Sequence, residues 1–218
     1  MSALYRYLLA SVLLSQRYLP PTLIFLAALA VGVTSDNGPL QASYAFCVLA
    51  MLICSTWLAV SIVNHEDPTQ RKITLVMMGD SLRVLAITVA VVLTWSVPLI
   101  AVGLIYPIVT GKHVITAGNL TVGAVAQLAA AMIGTAIGLL CSRLVIPRIG
   151  IATLTAAAAI LAVLLIRWVS PIRPIMTLLS NDHTATEDAV PLTLLTVLCA
   201  AILAAALLAT RGIADRKE

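Results

Sequence analysis

The chain has 218 residues, 61% of them hydrophobic and only 10% charged, with a mean hydropathy of +1.07. Ordinary soluble domains carry about 25% charged and roughly 45–50% apolar residues, so a water-soluble fold of this length would have more apolar surface than its core could hide. The formal charge of +4 and pI of about 9.1 come without any basic stripe interleaved with aromatics, which excludes a nucleic-acid partner.

A bilayer accepts such a surface, but lipid offers no hydrogen bonds to backbone groups, so the crossing segments must be helices or a closed barrel. Barrel strands alternate apolar and polar residues over about ten positions. The runs here, such as residues 84–105, are longer and apolar all round. The expected fold is an all-α integral membrane protein, one transmembrane domain over residues 1–218.

In chain order, residues 1–18 come first. Arg6 and Arg17 lie eleven positions apart and so nearly in register on a helix, while Leu4, Leu8, Leu9, Val12 and Leu13 fill much of the remaining surface. This pattern predicts a helix lying in the membrane interface, although Ser11 and Ser15 fall on its apolar side. Arg17 lies too deep in the segment for a signal-peptide template, so the segment is expected to be retained.

A first span is expected over residues 19–34, where Pro20-Pro21 suits a helix start because the first turn needs no N–H partners. Further spans are expected at 42–63, 84–109, 120–141, 149–169 and 190–210, judged against the ~20 apolar residues that cross ~30 Å of hydrocarbon. The expected total is six. Pro98 should kink the third span, since proline removes a backbone hydrogen bond. In the fourth, Ala130, Gly134 and Gly138 recur every four residues and give a smooth face for close helix packing. Alanine runs at 156–159 and 204–206 suit tight packing in the fifth and sixth. Cys47, Cys54, Cys141 and Cys199 lie in or at the edge of apolar runs with no disulfide or zinc spacing, and are read as packing residues.

Six spans place both termini on one side. That side then holds Arg6, Arg17, Arg71, Lys72, Arg83, Arg143, Arg148, Arg211, Arg216 and Lys217, ten of the thirteen basic residues, and the other holds Lys112, Arg167 and Arg173. Basic loops stay in the cytoplasm, so both termini are expected there.

Chemistry is sparse. All nine acidic residues fall in loops or at span ends, which weighs against a secondary carrier that needs a titratable group inside the membrane. Gly111-Lys112 resembles a phosphate loop, but His113 follows where Ser or Thr is needed. His65, His113 and His183 are scattered over three loops without metal-ligand spacing. The expectation is no catalytic residue, no metal and no cofactor bound by this chain.

Two connections carry more information. Residues 64–83 form a cytoplasmic segment in which Pro68 and Thr69 mark a helix start, and positions 70–78 suit a short amphipathic helix. Ile73, Val76 and Met77 share one of its faces, with Arg71 and Lys72 nearby. Gly79 then breaks the helix and Asp80-Ser81 caps the next. Such a helix either rests on the lipid surface or docks a cytoplasmic partner. Residues 170–189 are external. Pro171 and Pro174 precede an apolar stretch at 175–179 and then an acidic run, which suits a surface loop or a segment that dips into the membrane and returns.

This arrangement resembles the membrane (permease) subunits of type-2 ATP-binding-cassette exporters. The likeness covers nearly the whole chain: an N-terminal interfacial helix, six spans, a coupling helix between the second and third, and a broken external segment before the sixth. Its closest local match is His65-Glu66-Asp67-Pro68-Thr69 leading to Met78-Gly79-Asp80-Ser81, with Pro68 where members often have Gly. The resemblance implies that two such subunits, identical or related, sit on separate ATPase subunits that hold ATP and Mg. It implies docking of that ATPase by Glu66, Asp67, Pro68, Thr69, Arg71, Lys72, Ile73, Val76 and Met77, and residence in the bacterial inner (cytoplasmic) membrane among its lipids. The rival expectations are a non-transporting scaffold or immunity-type binding protein, then a secondary carrier, then a membrane enzyme. The substrate is not legible, and homodimer and heterodimer stand equally open.

Overall fold

A computed structural model describes residues 2–33, 40–65, 70, 74, 76–77, 79–111, 116–146, 148–166, 171–180 and 185–214. Its long elements are all helices: α1 Ser2–Ser15, α2 Leu19–Gly32, α3 Leu40–Val63, α4 Ser81–Thr110, α5 Ala117–Leu140, α6 Ile149–Leu165, α7 Ile172–Ser180 and α8 Ala185–Ala214. No strand occurs among the described residues.

Four of these helices are long and apolar enough to cross a bilayer alone: α3, α4, α5 and the Val190–Ala214 part of α8. A fifth crossing is available if α1 and α2, bent by 69° to one another, count as one broken span. The break falls at Gln16, whose φ of 54° places a non-glycine residue in the left-handed region. Pro20 and Pro21 occupy the first turn of α2, where their missing N–H groups cost nothing. The segment expected as a fifth full span ends early. α6 has 17 residues and so rises only about 25 Å. Its last turn is closed by Arg173, whose Nη1 donates to the Leu165 carbonyl at 3.2 Å. The molecule is thus an all-α membrane-embedded protein with four or five candidate spans.

α1 does not lie free on a lipid surface. Leu8 and Val12, one turn apart, are buried in one cluster with Leu58, Ile62, Ile87 and Val91 of α3 and α4. The two serines on its apolar side turn their hydroxyls onto their own helix, Ser11 to the Leu8 carbonyl and Ser15 to that of Val12, both at 3.0 Å.

α3 and α5 form the centre, running parallel in one fixed register. Tyr44 lies against Gly123, Ser55 against Gly134 and Ala59 against Gly138. Past the helix ends the same offset of 79 residues joins Asn64 to Arg143. The glycines decide this closeness. A Cβ on Gly134 would collide with Ser55 Oγ and stand 2.7 Å from the Leu52 carbonyl oxygen, and one on Gly138 would stand 2.8 Å from that of Thr56. Together with fully buried Ala130, the three small residues expected to form a packing face are those that meet α3 or lie in the core beside it.

α4 runs antiparallel to α3 and continues as one helix through Pro98 and Pro107. α8 packs on α5, with Leu203 and Ala206 in one cluster with Ala136 and Leu139. The segment read as a loop or a re-entrant dip contains the nine-residue helix α7, whose Ile172, Ile175 and Leu179 are fully buried beside α3. All four thiols are buried and none is in a disulfide.

Candidate functional site at the basic end of the bundle

α3 ends at Val63, and a turn follows in which Asn64 N–H donates to the Val60 carbonyl and His65 N–H to that of Ile62, both at 3.1 Å. The Asn64 side chain then leaves its own helix. Its Oδ1 accepts from the backbone N–H of Arg143, at 2.9 Å, in the turn that ends α5. Where the connection returns, Gly79 takes a φ of 67°, which any larger side chain would resist. Asp80 follows as the N-cap of α4, its carboxylate accepting from Leu82 N–H at 3.0 Å. The same carboxylate pairs with Arg211 of α8 at 3.4 Å and with Arg83 at 3.7 Å.

Asp80 therefore joins the start of α4 to the end of α8. The ion pairs are partly exposed and contribute little energy singly, since such pairs are worth about 0–1 kcal/mol. Their contribution is positional. The connection from residue 64 to residue 80 leaves the bundle tied to α5 and re-enters it tied to α8, and α5 and α8 pack directly on each other.

Within the connection, Gln70, Thr74, Val76 and Met77 are helical, and Thr74 Oγ1 donates to the Gln70 carbonyl at 3.0 Å. Val76 and Met77 are 84% and 82% exposed. Of the other residues expected to dock a partner, Glu66, Asp67, Pro68, Thr69, Arg71, Lys72 and Ile73 lie outside the described residues. His65 has a buried Nδ1 without a hydrogen-bond partner among the described residues. Its burial, with Arg17 nearby, pushes its pKa below the ordinary histidine value.

A second polar feature lies inside the bundle, where α3, α4 and α5 meet. Gln41 Nε2 donates to Asn119 Oδ1 at 3.5 Å, and Tyr44 Oη to the Leu104 carbonyl at 3.4 Å. Pro107 has no N–H to give the Gly103 carbonyl one helical turn back. The Cys47 thiol points at that carbonyl instead, at 3.5 Å. Gln127 is fully buried at the same level, and neither end of its amide has a partner among the described residues. Gly103 makes room for it, since a Cβ there would strike Gln127 Oε1.

The sequence had flagged only ionisable groups inside spans and so passed over Gln127; a lone amide within the alanine-rich stretch 124–131 was the available signal. Nothing in the spacing of Asn64 and Arg143, or of Asp80 and Arg211, announced their contacts. No group of three His, Cys, Asp or Glu side chains suited to a metal ion occurs among the described residues. Compared with protein-family models, with curated proteins and with solved structures, the chain matches none.

Proposed function

We propose that this chain is the permease subunit of an ATP-driven exporter of the type-2 ATP-binding-cassette class. The observation that carries this reading is the double anchoring of the connection between α3 and α4, to the end of α5 through Asn64 and to the end of α8 through Asp80. A partner pushing on that connection would move two packed helices at once. Coupling requires a differential contact with the partner in two states, and a segment tied to two spans is a way to deliver it.

In this reading the chain makes six crossings with both termini cytoplasmic, in a bacterial inner membrane. α1 and α2 would form the first crossing, and α6 the fifth, its short length met by local bilayer thinning. Residues 66–77 would seat in a groove of the ATPase, which holds ATP and Mg, and exposed Val76 and Met77 would supply the apolar part of the contact. The chain would hydrolyse nothing itself, and a second copy or a related permease would complete the path.

The test is recovery of partners. The tagged chain, purified from its own membranes in mild detergent, is expected to bring down a nucleotide-binding ATPase. A variant with Glu66, Asp67, Arg71 and Lys72 all changed to Ala should lose it. A native chain recovered with no nucleotide-binding protein would overturn the exporter reading in favour of a membrane scaffold.

A further inference from the structure

An open groove of about 300 Å³ runs between α3 and α6, walled by Ile53, Trp57 and Val60 on one side and by Thr153, Ala157 and Ile160 on the other. Its volume is at the lower end of the roughly 300–1,000 Å³ typical of ligand sites. The groove is apolar in chemistry as well as in composition. The Thr153 hydroxyl donates to the Gly150 carbonyl at 2.9 Å, and that of Thr56, which also faces the groove, to the Leu52 carbonyl at 2.8 Å. Both are occupied within their own helices, so the occupant is selected for hydrocarbon.

The position of the groove adds a second requirement. Val60 stands three residues from the end of α3 and Ile53 ten, so the groove starts about 5 Å inside that end and reaches about 15 Å deep. This is the basic end of the bundle. Arg148 is the N-cap of α6, five residues before Thr153, and is exposed; Arg143, in the turn after α5, is exposed as well. The side chain of Arg148 makes no capping hydrogen bond to the first turn of α6. Unsatisfied N–H groups at a helix start attract anions, and guanidinium groups bind phosphate in a planar, charge-assisted geometry. The apolar groove thus lies at the end of the bundle where two exposed arginines and the start of α6 supply positive charge.

We propose that this groove binds one acyl chain of an anionic phospholipid, with the lipid phosphate held at the rim by Arg143, Arg148 and the first turn of α6. The site is independent of the exporter reading and would be present in a scaffold as well. The charge complementarity selects lipid over an apolar helix of a second copy, which would leave two arginines and the start of α6 without an anion.

Native mass spectrometry of the full chain in detergent, with phosphatidylglycerol or phosphatidylcholine added, tests this directly. One phosphatidylglycerol per chain should survive detergent removal. Filling the groove with the pair Thr153→Leu and Ala157→Leu, which lie one turn apart, should lower its retention roughly tenfold. The pair Arg143→Gln and Arg148→Gln should lower it by roughly 30-fold, at about 1 kcal/mol per basic residue near an anionic headgroup, and should lower retention of phosphatidylcholine, whose choline offsets its phosphate, much less. Equal retention of the two lipids, unaltered by either pair, would overturn the proposal. So would a dimer cross-linked through Ala157→Cys with no lipid bound. A second measurement needs no filled groove. With Trp95 and Trp168 changed to Phe, brominated phosphatidylglycerol at low mole fraction should quench Trp57 more than brominated phosphatidylcholine does; equal quenching refutes selective binding.

Discussion

α5 and α8 are both long membrane helices, yet the protein treats them in opposite ways. The most apolar stretch of α8 is 22% buried in the protein, while that of α5, the less apolar of the two, is 78% buried. In water the greasier helix would go inside. In lipid no such preference exists, because hydrocarbon surrounds a helix as comfortably as a protein core does. Position is then decided by what lets backbones approach and by what polar groups need shelter. α5 carries Gly123, Gly134, Gly138 and Gln127, and it takes the centre. α8 presents Val190, Leu194 and Val197 outward, each 67% exposed.

The sharpest way to break this comparison is to add a methyl group where backbones touch. Gly134→Ala should destabilise the bundle by about 3 kcal/mol, the upper part of the range for overpacking a close contact. The obstacles are fixed: a serine side chain and the backbone of Leu52 and Thr56. Gly212→Ala in α8 and Gly150→Ala in α6, where a Cβ meets nothing within 4 Å, should be neutral or slightly stabilising. Unfolding in mixed micelles followed by circular dichroism measures all three. Equal effects across the three sites would dissolve the distinction between centre and periphery.

A smaller effect of opposite sign is expected at Gln127. Its amide is buried without a partner among the described residues, which costs about 1–3 kcal/mol by mutational measure. Gln127→Leu should therefore raise stability by about 1 kcal/mol in the same assay, after the cost of refitting a branched side chain. A loss of stability would show that the amide is satisfied in the folded protein.

The smallest effect concerns pH at the basic end. His65 is kept neutral by burial and by Arg17, so its folded pKa lies below the 6.5 of the free side chain. The unfolded chain binds the proton more readily, and stability therefore falls as the pH drops. The contribution is complete above pH 6.5 and is lost as the pH falls through the lower folded value. Midpoints measured at pH 7.5 and 5.5 should differ more for the native chain than for His65→Gln. An identical shift would place the cause elsewhere.

Much of the architecture was legible in residue order. The helices at 40–63, 81–110 and 117–140 begin and end within three residues of the expected spans, because long apolar runs have one stable backbone solution in lipid. Asp80 was read correctly as a cap, and Gly79 has the positive φ that a helix stop uses, since both act on their immediate neighbours. Other features were not legible. Residues 172–180 form a helix whose buried face depends on α3 being there to receive it, and the end of α6 at Leu165 is met by Arg173 from eight residues further on.

The sequence alone determined that this is a helical membrane protein, where its longest helices lie, and which residues in α5 are small enough for close contact. Those are consequences of composition and local spacing, which act within a helix or between a helix and its solvent. The tertiary structure alone decided that α3 is the partner of that small face, that Gln127 is enclosed at the level of a carbonyl orphaned by Pro107, and that Asp80 meets Arg211. Each of these joins groups far apart in the chain, and lipid, by being indifferent to which apolar face is covered, leaves such choices to steric fit and hydrogen bonding between helices.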